Sequence, residues 1–147
     1  MNITICGSIL FIDKMISDKN ALEDAGHTVM IPGFVARDKN GNAMSQEEFY
    51  RIRKSGAMEQ TWFEHEKSRA MREHFEKIEK ADAILVANYP KNGVDGYIGG
   101  NTLIEMGLAL HLKKKIFLLS PIPDMPYTEE LIGMQPIILI GDLSRIA

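Results

Sequence analysis

Ala83-Ile84-Leu85-Val86-Ala87 runs directly into the loop Asn88-Tyr-Pro-Lys-Asn-Gly-Val-Asp-Gly-Tyr-Ile-Gly-Gly100, and an apolar helical pattern follows from about Thr102 to Leu112. Five consecutive apolar residues bounded by turn-forming chain indicate a strand buried on both faces, as in the middle of a parallel sheet. The loop holds four glycines in thirteen residues, which is more freedom than a simple strand-to-helix connection needs. Beyond the helix, Ile116 to Leu119 gives another apolar strand, stopped by Ser120-Pro121.

Toward the N-terminus the same alternation recurs. Asn2 to Cys6 is β-branched and alternating, and it breaks at Gly7-Ser8. Ile12, Met15, Ile16 and Leu22 then fall at helical spacing, and Gly26 supplies a stop. His27 to Ile31 predicts a second strand ended by Pro32-Gly33, so the first thirty residues form a βαβ unit with a right-handed crossover expected. Residues 35–44 are polar around an Asn40-Gly41 turn. Ser45 with Glu48 then opens a short helix to about Lys54, and Gly56 interrupts it. A longer helix is expected from about Gln60 to Lys80, with Met71, Phe75 and Ile78 on one stripe and His74 on or beside it. Residues 121–135 read as surface chain, and Pro136 to Ile140 as a last short strand.

Five strands alternating with helices predict a single α/β domain over residues 1–147. It should be a doubly wound, flavodoxin-like (Rossmann-like) three-layer sandwich with a five-stranded, mainly parallel sheet in the order 2-1-3-4-5. The composition fits, since 147 residues with 45% hydrophobic content suffice for one core. Seventeen Lys and Arg against twenty Asp and Glu give a net charge of −3, which argues against nucleic-acid polymers and anionic membranes as partners. One cysteine excludes an internal disulfide framework and a cysteine-based zinc site. The apolar runs are shorter than a membrane span, and the opening MNITICGSILF lacks a basic leader, so a cytoplasmic protein is expected.

In doubly wound sheets ligands bind at the carboxyl ends of the strands, near the point where the strand order reverses. That rule gathers Gly7-Ser8, Asn88 to Asn101 and Ser120-Pro121 into one place. Amides at Gly7-Ser8 and the Ser8 hydroxyl suit an anion such as phosphate, or else Ser8 is an ordinary helix cap. No GxGxxG follows the first strand and no GxxxxGK[ST] occurs, so dinucleotide and P-loop readings lack their fingerprints. Glu105 admits two explanations. Thr102 and Glu105 form a T-x-x-E capping box, which alone would justify the glutamate. A carboxylate beside a glycine-rich ligand loop could instead attack or stabilise a cationic sugar carbon.

His74 is either a half-buried packing residue or, lying two turns before the end of its helix and toward the ligand side, a donor to a ribose hydroxyl or a base. His65-Glu66 and His74 do not make HExxH, and neither a metal nor another cofactor is expected. Cys6, inside a core strand, reads as a small hydrophobe. The arginines of residues 51–72 pair with glutamates on solvated helix faces, and Trp62, Phe63 and Tyr50 close a core or a dimer contact.

Taken together, Ile5-Cys6-Gly7-Ser8-Ile9, the run Ala81-Asp82-Ala83-Ile84-Leu85-Val86, and Gly96-Tyr97-Ile98-Gly99-Gly100-Asn101-Thr102-Leu103-Ile104-Glu105-Met106-Gly107-Leu108-Ala109 resemble one family, the nucleoside 2-deoxyribosyltransferases with their branch of deoxynucleoside 5′-monophosphate N-glycosidases. The resemblance implies that Glu105 is the nucleophile at the start of the fourth helix and that Gly7 and Ser8 lie beside the sugar or 5′-phosphate. It also implies a neighbouring subunit completing the site, hence a homodimer or larger. The family usually has an aspartate where this chain has His74, and a serine or aspartate where it has Gly99. The Gly-Gly-x-Thr-x-x-Glu string is also similar, one residue short, to the PGGxGTxxE of phosphoribohydrolases that release cytokinin bases.

The expected function is cleavage or transfer at the N-glycosidic bond of a small-molecule nucleoside or nucleoside 5′-monophosphate. Glu105 acts at C1′, and His74 or Asp95 serves as proton donor to the leaving base. Gly7, Ser8, Asn88, Gly99, Gly100 and Asn101 line the substrate, and Tyr97 or Phe11 packs on the base. The alternative is a non-catalytic nucleotide-binding sensor or carrier using the same pocket.

Overall fold

The computed structural model describes residues 1–33, 36–56 and 60–147. In chain order its elements are β1 (Asn2–Cys6), α1 (Ile12–Asp24), β2 (Thr28–Met30), β3 (Ala36–Arg37), β4 (Ala43–Met44), α2 (Gln46–Ser55), α3 (Gln60–Lys80), β5 (Ala83–Val86), α4 (Gly100–His111), β6 (Lys115–Leu118), α5 (Thr128–Gly133) and β7 (Ile137–Ile138). Short 3-10 turns lie at Ile9–Phe11 and Leu143–Arg145. The chain forms two compact units, one of Met1–Pro32 with Phe75–Ala147 and one of Gly33–His74.

The first unit is built on a five-stranded sheet in the order β2-β1-β5-β6-β7. All four pairings are parallel, with Ile3 opposite Val29 on one side and Ala83 on the other, and Leu85 opposite Phe117. With the β3–β4 hairpin set aside as its own sheet, this is the 2-1-3-4-5 order of a doubly wound fold. Side chains alternate along each strand, so β5 sends Ala83 and Leu85 to one face and Ile84 and Val86 to the other. The first face packs against Met15 and Leu22 of α1 and Ile146 near the C-terminus. The second packs against Ile78 of α3, Met106 and Ala109 of α4, and Leu131 of α5. Helices cover both faces, which is why β5 carries no polar residue at all.

Polar ties fix the strand entrances. Asn2 N–H donates to Asp82 Oδ2 at 2.7 Å, Thr4 Oγ1 donates to the Lys77 carbonyl at 3.0 Å, and Lys114 Nζ donates to the Ala81 carbonyl at 2.6 Å. The Thr4 and Lys114 bonds occupy carbonyls left open at the end of α3, where no further turn of helix supplies a donor.

Two expectations need correction in this unit. Residues 121–135 are not simply surface chain, because they contain α5 with Leu131 fully buried. The helix has six residues, too short to show a 3.6-residue period. It is anchored locally, since the Thr128 hydroxyl accepts from Met125 N–H at 2.8 Å and sits 2.8 Å from the Pro123 carbonyl. The last strand is also shorter than expected at Ile137–Ile138, although Leu139 N–H still donates to the Leu118 carbonyl at 2.8 Å.

In the second unit Ser45 caps α2, its Oγ accepting from Glu48 N–H at 3.1 Å, and Gly56 ends that helix in the left-handed region at φ 71°. The Asn40-Gly41 turn joins two very short antiparallel strands, with Asp38 accepting from the amides of Asn40 and Asn42 at 2.8 and 2.9 Å. Phe49 stacks on Phe63 with ring centroids 6.4 Å apart and meets Trp62 edge-on at 6.0 Å, so these aromatics form a small core. The side chain of Tyr50 lies outside the described residues. Buried Glu66 accepts from Arg37 N–H at 3.1 Å and from Arg69 at 2.9 Å, and Arg69 also reaches Glu73 at 2.7 Å.

Candidate functional site at the carboxyl end of the sheet

Strand β1 ends at Cys6 and the chain turns at Gly7, beside the exit of β5. A Cβ on Gly7 would lie 3.1 Å from the Ala87 carbonyl oxygen, so only glycine allows the two strand ends to leave side by side without displacement. Ser8 follows at the start of the first 3-10 turn, but its hydroxyl makes no capping bond. It accepts instead from Lys91 Nζ at 3.2 Å. The capping alternative for Ser8 therefore fails, and the hydroxyl faces the loop after β5.

That loop is held from below by Asn88, which is 1% exposed. Its Nδ2 lies within hydrogen-bonding distance of the carbonyls of Ser120 (3.1 Å), Gly96 (3.3 Å) and Pro121 (3.3 Å), and its Oδ1 accepts from Ser120 N–H at 2.8 Å. One side chain thus ties together the chain after β5, the middle of the loop and the chain after β6. Asn88 lies in the scaffold, with its amide committed to backbone. Gly96 closes against the same point. Its φ is +70°, and a Cβ there would sit 2.6 Å from the Pro121 carbonyl oxygen.

The loop tip is a miniature hairpin. Lys91 and Val94 exchange backbone hydrogen bonds of 3.1 and 2.9 Å across Asn92 and Gly93, both at positive φ, the pair of conformations a type I′ turn requires. This turn sets Lys91 with its ammonium 5.3 Å from the centroid of the Tyr97 ring as well as on Ser8. On the α1 side, Phe11 and Tyr89 pack with centroids 5.5 Å apart, and Lys14 lies 4.7 Å from the Tyr89 centroid. Tyr89 donates to Asp18 Oδ2 at 2.6 Å. Burial, then the Asp18 hydrogen bond and charge, pushes the Tyr89 hydroxyl well above its ordinary range. Burial raises the Asp18 carboxyl, against the lowering effects of Tyr89 and Lys14.

Helix α4 begins at Gly100, with Gly99 as its N-cap accepting from Leu103 N–H at 2.9 Å and no side-chain cap. Thr102 is therefore the third helical residue and Glu105 the sixth, counting from Gly100. A capping box needs its glutamate at the third position, so the T-x-x-E pattern does not operate as one here. The helix starts early because Gly99 and Gly100 bring the chain into it before Thr102 is reached.

Freed from the cap, the Glu105 side chain turns inward and is 4% exposed. Asn101 Nδ2 donates to Glu105 Oε1 at 3.2 Å, one helical turn apart. Cys6 lies fully buried beneath, its sulfur within 4.8 Å of a Glu105 carboxylate oxygen. Burial, then the Glu105 charge and a hydrogen bond to it, pushes the thiol well above its ordinary range, so Cys6 is a neutral S–H group and not a thiolate. Nearby, Tyr127 donates a short hydrogen bond to the Ile98 carbonyl, and burial followed by the proximity of Tyr97 raises its hydroxyl.

The first unit thus brings Gly7, Ser8, Tyr97, Gly99, Gly100, Asn101 and Glu105 to the carboxyl end of one sheet. Phe11 flanks them on Tyr89, while Asp95 is exposed on the loop. His74 is the last residue of the second unit, where it is 7% exposed. Two further residues, Lys91 and Cys6, lie among those at the carboxyl end of the sheet. The sequence signal for Lys91 is Asn92-Gly93 beside it, a dipeptide that marks the tight turn presenting it. Cys6 is the small core hydrophobe expected of its strand, and its nearness to Glu105 leaves no local pattern because the two are so distant in the chain.

No family model and no curated protein matches the chain. Among solved structures it is similar to a 2-deoxyribosyltransferase from the psychrotolerant bacterium Bacillus psychrosaccharolyticus, at 18% identity and a TM-score of 0.46, over 80% of this chain and 71% of that one. It is also similar to the CMP N-glycosidase BcmB of Clostridium botulinum, at 17% identity and a TM-score of 0.48, over 94% of this chain and 84% of that one.

Proposed function

We propose that this chain breaks the N-glycosidic bond of a nucleoside or nucleoside 5′-monophosphate, passing the sugar to water or to a second base. The observation that carries the proposal is the Glu105 carboxylate, buried in the second turn of α4, removed from any capping duty and held by Asn101 at the ligand end of the sheet. A buried carboxylate has a large desolvation cost, which a purely structural site avoids by using a neutral residue. Facing a sugar carbon that gains positive charge as the bond breaks, the same carboxylate stabilises the transition state more than the ground state.

The chemistry follows the two-carboxylate logic of glycoside cleavage with one carboxylate replaced by another proton donor. Glu105 attacks C1′, the C1′–N bond breaks, and its electron pair leaves with the base. A proton must reach the departing nitrogen, and His74 is the donor in this proposal, with Asp95 the alternative. Water or an incoming base then attacks C1′ and releases Glu105. Ser8 and Lys91 supply a hydroxyl and a cation at the rim, suited to the sugar or phosphate end, and the Tyr97 ring offers a face for the base.

The test is incubation with a panel of nucleosides, deoxynucleosides and their 5′-monophosphates, with and without an acceptor base, followed by chromatography. Free base without acceptor identifies a hydrolase, and exchange only with acceptor identifies a transferase. Thermal stabilisation by a nucleotide with no turnover of any substrate would reject the enzyme in favour of a binding module. His74→Asn and Asp95→Asn then separate the donors, since only loss of the true donor slows release of poor leaving bases more than good ones.

A further inference from the structure

We infer that Tyr97 meets the substrate through its hydroxyl as well as its ring, donating to an oxygen at the sugar–phosphate end of the molecule. The inference rests on the function proposed above. Tyr89, Tyr97 and Tyr127 all stand in chain that follows β5 or β6, on the ligand side of the sheet. Tyr89 donates to Asp18 Oδ2 at 2.6 Å and Tyr127 donates to the Ile98 carbonyl, so both of these hydroxyls serve the fold. Tyr97 differs. Among the described residues its hydroxyl has no hydrogen-bond partner, and it is not sealed away from water.

The ring that carries this hydroxyl is nevertheless held in place. Its Cε1 and Oη lie 3.4 and 3.8 Å from the position a Cβ on Gly99 would take, so the ring edge fills the space left open at the N-cap of α4. The Lys91 ammonium stands 5.3 Å from the ring centroid and 3.2 Å from Ser8 Oγ. One cation therefore touches both the Tyr97 ring and the Ser8 hydroxyl, which puts Tyr97 at the end of the site suited to sugar or phosphate. A tyrosine has only two side-chain torsions and a hydroxyl that donates without carrying charge, so it contacts a ligand at little entropic cost. A hydroxyl fixed by its ring and bonded to nothing in the protein is preorganised for an acceptor that comes from outside.

Tyr97→Phe removes the hydroxyl and keeps the ring, its seat on Gly99 and the Lys91 contact. Without any ligand this variant should melt within about 1 °C of wild type, whereas Tyr127→Phe, which strands the Ile98 carbonyl, should lose about 2–6 °C. A loss in Tyr97→Phe as large as in Tyr127→Phe overturns the inference, because the hydroxyl would then serve the fold. That arm stands even if no nucleotide is ever turned over. On the best substrates of the panel, kcat/KM should fall about 3- to 10-fold for nucleoside and 5′-monophosphate alike if the acceptor is a sugar hydroxyl. A loss above about tenfold confined to the monophosphate places the contact on the phosphate instead. For a nucleotide that binds without turnover the same comparison is read in Kd, so failure of the catalytic reading is kept apart from failure of this contact. Values within about twofold of wild type for both classes of ligand overturn the inference.

Discussion

Replacing Asn88 probes the scaffold of the site without touching its chemistry. The side chain makes hydrogen-bond contacts with three carbonyls and one amide at 2.8 to 3.3 Å, and it is 1% exposed. Asn88→Ala would strand Ser120 N–H and leave the carbonyls of Gly96, Ser120 and Pro121 without this donor. Each net hydrogen bond is worth about 0.5–1.5 kcal/mol, and buried groups left unsatisfied add to it, so a loss of about 3 kcal/mol is expected. In a chain of this size that lowers the melting temperature by roughly 6–12 °C. Asn88→Asp makes the argument sharper. It is nearly isosteric, yet it turns a donor into an anion facing three carbonyl oxygens, so it should be at least as destabilising as alanine at neutral pH and recover as the carboxyl is protonated in acid. Urea titration at pH 7 and at pH 4, followed by far-ultraviolet circular dichroism, measures both variants. Asparagine-to-aspartate behaving like wild type at pH 7 would refute the clamp, because the donor has been lost and a negative charge set against the carbonyls in a side chain of the same shape.

Other consequences are checked as readily. Gly96→Ala places a Cβ at positive φ and 2.6 Å from the Pro121 oxygen, and it should cost about 2–4 kcal/mol in chemical denaturation, whereas a loss under about 0.5 kcal/mol would mean that the loop relaxes freely. Lys91→Met should raise KM for a nucleoside 5′-monophosphate by about 10–100-fold while leaving the unphosphorylated nucleoside within about twofold, and equal effects on both would remove Lys91 from the phosphate end. For Asp18 the folded carboxyl is raised above its unfolded value, so the native state binds the extra proton and stability falls as pH rises from the unfolded toward the folded pKa. Asp18→Asn should accordingly gain melting temperature relative to wild type on going from pH 3 to pH 7, and parallel curves would contradict that sign.

Much of the fold is written in residues whose pattern is local. Ala83 to Ala87 lack any polar residue because helices cover both faces of β5, and that alone implies a central parallel strand. Gly56 and Ser45 mark the ends of α2 through backbone needs that few other residues meet. The capping box offered for Glu105 does not form, for a related reason. Thr102 and Glu105 have the right spacing, but spacing cannot tell where a helix begins when two flexible glycines precede it. Helix α5 and the β3–β4 hairpin are shorter than the periods by which helices and strands are recognised. At the site, Glu105 and Ser8 were legible as loop-adjacent polar residues at strand ends. The Ser8–Lys91 bond and the approach of Cys6 to Glu105 were not, since each joins segments that only the parallel pairing of β1 with β5 and the packing of α4 bring together.

Everything proposed for this protein turns on Glu105, and one comparison tests it most directly. Wild type and Glu105→Gln, matched for melting temperature, are mixed in excess over the best substrate of the panel, and free base is followed through a single turnover. The glutamine keeps the Asn101 contact and the shape of the site but cannot attack or compensate a cationic C1′. Base release should therefore fall by at least about a thousandfold with substrate affinity kept within a few-fold. Release by Glu105→Gln at a rate within tenfold of wild type would contradict the account.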